Sequence, residues 1–129
     1  VPLAPNRIER AHQILRWLQA KYTTPYPTAL RWHPRLIDPD AESAAQRDYF
    51  GDTQVIDRRL VIRMSKRTCA TWSTTIDTLL HEYAHCLDWR HARIEAKGRR
   101  PHGPEWGMYY AALYEAYHDL GGALESREW

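Results

Sequence analysis

The sequence predicts an α+β fold, and three observations carry that prediction: a helical apolar stripe near the N-terminus, a β-branched stretch in the middle, and two helical stripes in the second half. The expected order is an N-terminal helix, a small mainly antiparallel sheet, a helix bearing two histidines, and a C-terminal helix. A length of 129 residues suits one domain, and a hydrophobic content of 43% against 26% charged residues supports a core without disulfides and excludes disorder. Residues 1–129 are therefore read as a single domain.

Asn6 followed by Glu9 resembles a capping box, and Ile8, Ala11, Ile14, Leu15 and Leu18 follow at helical spacing. This places a first helix at about residues 7–21. Pro25 and Pro27 stop it, because neither can continue a helix and each biases its predecessor towards extended backbone. Strands are expected at "TALRW" (28–32), near "DYFG" (48–51) and at "RLVIRMS" (59–65), divided by turn-rich stretches such as "IDPDAES".

The next helix begins with Thr74 and Asp77 as its N-terminal box, and Ile76, Leu79, Leu80, Tyr83, Ala84 and Leu87 form its apolar stripe. With Ile76 at zero and ~100° per residue, that stripe stays within ~80°, whereas His81 and His85 fall at ~140° and ~180°. The histidines face away from the core. A last helix opens at Pro104, buries Trp106, Tyr109, Tyr110, Leu113, Tyr117 and Leu120, and ends at Gly121 and Gly122.

Some classes drop out on composition. A net charge of +2 does not by itself imply a nucleic-acid partner. No apolar run approaches the ~20 residues of a membrane span, and "VPLAPNRIER" lacks the apolar region of a signal peptide, so a cytoplasmic protein is expected. Cys69 and Cys86 stand outside any CxxC pair and are expected to be buried free thiols.

The chemistry concentrates in "HEYAH" (81–85). Two histidines four apart lie one turn above the other, so both imidazoles can reach one Zn²⁺, and Glu82 then stands beside the open position, able to accept a proton from a metal-bound water. A catalytic zinc takes three protein ligands. His91 has the spacing of HExxHxxGxxH, but Asp88 replaces the glycine that would turn the chain back, and on a continuing helix His91 lies ~9 Å beyond His85. Met108 sits within a helical pattern and is read as a core residue rather than a Met-turn. His102 precedes Gly103 and the Pro104 helix start, a loop end that a helix can position, and is preferred to Glu105, with His91 last.

Three stretches in order, "VIRMS" (61–65), "TLLHEYAH" (78–85) and "HGPEW" (102–106), resemble the SprT-like (Spartan-type) family of zinc metalloproteases, the last through its HGxxF or HGxxW motif. The resemblance implies a zincin-like minimal catalytic domain that holds one zinc on His81, His85 and His102, with Glu82 as catalytic base. It also implies hydrolysis of peptide bonds in a protein or peptide substrate. Many relatives add a cysteine-rich zinc ribbon, whereas no cysteine follows Cys86 here, so a bare catalytic domain is expected.

Around the motif the reading branches. Asp88 would either orient the His85 ring or be a solvated helix residue, and Tyr109 or Tyr110 could offer a hydroxyl to a developing oxyanion. Lys97, Arg99 and Arg100, with Arg58, Arg59, Arg63, Lys66 and Arg67, would suit a DNA backbone, and a solvated surface accounts for them equally. Beside the metalloendopeptidase stand two alternatives: a catalytically silent zinc-containing binding module, and a DNA-associated scaffold.

Overall fold

The computed structural model describes residues 6–43, 47–89 and 103–126. Asn6 caps α1 (Arg7–Lys21), its side chain accepting the Glu9 N–H at 2.9 Å. Ala11, Ile14, Leu15 and Leu18 are buried along the predicted stripe. β1 (Thr28–His33) follows the prolines, and β2 (Gly51–Ile56) with β3 (Arg59–Ser65) forms a hairpin. Its two-residue loop holds Asp57 and Arg58 at φ 49° and 61°, the left-handed pair that suits the twist of such hairpins.

β3 is the central strand, parallel to β1 and antiparallel to β2. The sheet is thus mixed rather than mainly antiparallel, within the α+β class. Alternation of apolar residues says which face of a strand is buried and leaves the sense of its neighbour open. The second strand also begins later than "DYFG" suggests: Asp48 makes an isolated bridge to Ile37, and regular pairing starts at Gly51.

α2 (Trp72–Leu87) starts one turn earlier than Thr74 and Asp77 indicated. Thr71 is the cap: its hydroxyl accepts the Thr74 N–H at 3.1 Å, and the Thr74 hydroxyl accepts the Thr71 N–H at 3.2 Å. α3 (Pro104–Ser126) begins as expected but continues through Gly121 and Gly122. Glycine ends a helix where the backbone turns left-handed, and elsewhere a helix tolerates it at a cost of about 1 kcal/mol. Met108 is 73% exposed, so it is not the core residue expected.

One apolar cluster joins these elements. Leu60, Ile62 and Met64 of β3 meet Ile14 and Leu18 of α1, Leu79, Leu80 and Tyr83 of α2, and Leu113 and Tyr117 of α3. Tyr83 is fastened at its polar end, the hydroxyl donating to the Tyr22 carbonyl at 2.5 Å. Cys69 and Cys86 are buried and free, and burial pushes the Cys86 thiol up to about 12. Among the described residues no helix is long and apolar enough to cross a membrane.

Candidate metal centre

α2 turns its apolar stripe to the cluster and leaves His81 and His85 on its open side, half-exposed and one turn apart. Their Nε2 atoms stand 3.3 Å from each other. Two nitrogens each ~2.0–2.1 Å from one tetrahedral ion would be about 3.3–3.4 Å apart, so the pair is already spaced for a shared metal. Among the described residues, His81, Glu82 and His85 are the group that could hold an ion, with ligand atoms within 4.8 Å of one another. Glu105 is not in that group, and His102 and His91 lie outside the described residues.

Glu82 lies deeper than the two histidines that flank it. It is 5% exposed, wedged under the helix where β2 passes. The Thr53 hydroxyl lies 2.9 Å from Glu82 Oε1 and 3.3 Å from the Glu82 carbonyl oxygen, and donates to the pair. The second carboxylate oxygen, Oε2, stands 3.6 Å from His81 Nε2 and faces the metal side. Burial pushes the Glu82 carboxyl up to about 7; the Thr53 hydrogen bond pulls it back, and Asp52 adds to the rise.

The strand that carries Thr53 is anchored in turn. Asp52 accepts from the Arg63 guanidinium across the β2–β3 pair and from the Tyr49 hydroxyl at 3.0 Å, and Arg63 also donates to that hydroxyl at 3.1 Å. This accounts for the arginine of "VIRMS", a residue first grouped with the basic surface. Arg58, Arg59, Lys66 and Arg67 are exposed, and Lys97, Arg99 and Arg100 lie outside the described residues. Gly51 lets the strand approach closely, since a Cβ there would stand 2.6 Å from the Arg63 carbonyl oxygen and 3.0 Å from Thr78 Cγ2.

Trp106 closes the other side. Its ring centroid lies 4.9 Å from that of His81 and 5.4 Å from that of His85, and its indole N–H donates to the His81 carbonyl at 3.3 Å. The aromatic residue of "HGPEW", read from sequence as core, therefore walls the histidine pair. Tyr110 stacks on it, ring centroids 5.1 Å apart, and lines a cleft of about 390 Å³ with His81 and Glu82; Tyr109 packs against the core. Asp88 is 2% exposed at the C-cap of α2, which removes the solvated reading and leaves it one turn from His85.

Thr53 and the wall formed by Trp106 were invisible in sequence. The first contact spans 29 residues and the second 25, and neither Thr in a strand nor Trp in a helix is a signal of its own. The model of the SprT-like family matches residues 11–124. No curated protein and no solved structure matches the chain.

Proposed function

The chain belongs to the SprT-like family, and from that premise we propose that it is a zinc-dependent metalloendopeptidase. One observation carries the reading. Two imidazole nitrogens 3.3 Å apart adjoin a buried carboxylate that keeps one oxygen on Thr53 and turns the other to the same place. A module that used zinc only for structure would have no need of that carboxylate.

His81, His85 and His102 are the proposed ligands. Trp106 supports the third: it sits against both histidines, so the chain four residues after His102 is already beside the pair. When bound, zinc would supply Lewis acidity towards a peptide carbonyl and make a water acidic enough to ionise near neutral pH. Glu82 takes a proton at Oε2 while Thr53 steadies Oε1, and then yields it to the departing amine nitrogen. In the metal-free protein burial raises this carboxyl, the direction that favours proton uptake.

Zinc content per chain tests the assignment, measured by elemental analysis on the native protein, His102→Ala and His91→Ala prepared together. The expected result is one zinc per chain, lost or greatly weakened in His102→Ala and kept in His91→Ala. Glu82→Gln should keep the metal and abolish peptide cleavage. Native protein without zinc after metal-replete purification, or cleavage surviving in Glu82→Gln, overturns the proposal.

A further inference from the structure

β1 is an edge strand, because the sheet runs in the order β1, β3, β2. Its free side lies across the sheet from β2, the strand that brings Thr53 to the metal site, and is separated from that site by the other two strands. The phase of the β1–β3 ladder says which backbone groups face outward. The Leu60 N–H donates to the Pro27 carbonyl and the Lys66 N–H to the His33 carbonyl, both at 2.8 Å, and in a parallel pair this phase repeats at every second residue. Ala29, Arg31 and His33 therefore direct their backbone groups to β3, and Thr28, Leu30 and Trp32 turn theirs to the open side.

α1 covers only the start of that side. Gln19 Nε2 donates to the Thr28 carbonyl at 2.5 Å. The outward N–H and C=O groups of Leu30 and Trp32 have no backbone partner among the described residues. At the same end of the strand, Trp32 Nε1 and His33 Nε2 are buried without a hydrogen-bond partner. Unpaired strand groups invite another chain, and proline inside an edge strand is one common block. Here Pro27 and Pro34 flank β1 and leave its interior open.

Arg31 decides what can pair there. It is exposed and makes no ion pair among the described residues. In register it stands beside Arg63, whose guanidinium is held from the other side by Asp52. The row across the sheet thus reads Asp52, Arg63, Arg31, and neighbouring like charges are unfavourable until a counter-charge joins them. A carboxylate on a fourth strand would complete the row. A second copy of the chain would not, since antiparallel pairing of two β1 strands through Leu30 and Trp32 sets Arg31 against Arg31.

We propose that the free edge of β1 is a docking site for an extended acidic segment of another protein, which adds as an antiparallel fourth strand with an aspartate or glutamate opposite Arg31. Backbone bonds to Leu30 and Trp32 supply affinity, and the carboxylate supplies selectivity. The residue opposite Arg31 occupies a non-hydrogen-bonded pair, in which the Cα atoms come within ~4.5 Å and side chains approach most closely.

Two fluorescein-labelled peptides test the site: Gly-Ser-Thr-Val-Glu-Val-Thr-Ser-Gly and the same sequence with lysine at its centre. Each is titrated by anisotropy into Glu82→Gln protein, so that cleavage does not intrude. The glutamate peptide should bind about tenfold more tightly, the gain from an opposite charge and the cost of a like one each amounting to about threefold. Arg31→Glu should invert the order, and Arg31→Lys should keep it. A glutamate peptide N-methylated at both valines keeps its charge but cannot donate to Leu30 and Trp32, and should lose binding. The unmodified glutamate peptide should also slow amide hydrogen exchange at Leu30 and Trp32. Equal binding of the two peptides, no binding of either, an order that survives Arg31→Glu, or unchanged exchange at those amides overturns the proposal. Full binding of the N-methylated peptide overturns it by showing that charge alone holds the segment. Concentration-dependent protection of the same amides in the free chain overturns it in favour of a second copy.

Discussion

Replacing Glu82 by Gln should make the metal-free protein more stable, and only above a definite pH. Gln has nearly the same shape and its carbonyl can still accept from Thr53, so the substitution removes the charge and little else. The folded carboxyl is raised from 4.5 to about 7, mainly by burial. A group raised in this way gives its full stability below the unfolded value and loses it as pH climbs through the folded one. In EDTA the native protein should therefore weaken between pH 4.5 and 7 relative to Glu82→Gln. At 1.36 kcal/mol for each pH unit the gap grows to about 3 kcal/mol. Urea denaturation of both proteins at half-unit steps from pH 4 to 8 measures it, with the difference at pH 4 as baseline. Titrating groups remote from Glu82 cancel because both proteins carry them. A difference that stays flat across this range would refute the burial of an ionisable Glu82.

Three further outcomes follow from the same contacts. Thr53→Val should lower kcat for peptide cleavage by roughly tenfold or more at unchanged zinc content, and Thr53→Ser should restore it, because the hydroxyl and not the methyl holds Oε1; equal kcat in native and Thr53→Val protein would remove the positioning role. Gly51→Ala should cost about 2 kcal/mol in urea denaturation, since the new Cβ meets a backbone oxygen at 2.6 Å that cannot swing aside. The double change Asp57→Asn with Arg58→Gly should raise stability by about 0.5–1 kcal/mol by thermal melting, Asn-Gly being the pair that accepts two positive φ values most readily.

The parts legible in the sequence are those with local causes. Asn6 caps α1 where its spacing to Glu9 indicated, Pro104 opens α3, and the α2 stripe from Ile76 to Leu87 turns His81 and His85 outward because 3.6 residues per turn leave no other face for them. β3 was clear because its residues are buried on both faces; β2 was misplaced because none of its residues is fully buried and "GDTQVI" shows little contrast. The start of α2 was missed because Thr74 serves both as the cap it resembles and as the partner of the true cap, Thr71. The place of Glu82 between the histidines marked it in the sequence as the candidate base. Its burial was not, since it arises from a strand some 30 residues away, as does its hold on Thr53.

That hold ties chemical competence to strand register. Thr53 faces Ile62 in the β2–β3 ladder. A slip by one residue would turn its hydroxyl to the opposite face of the sheet, and a slip by two would carry it about 6.8 Å along the strand. Either way the hairpin could still close, yet the glutamate would be left untethered. A chain with its helices formed and its strands out of register would present the two histidines without a seated glutamate between them.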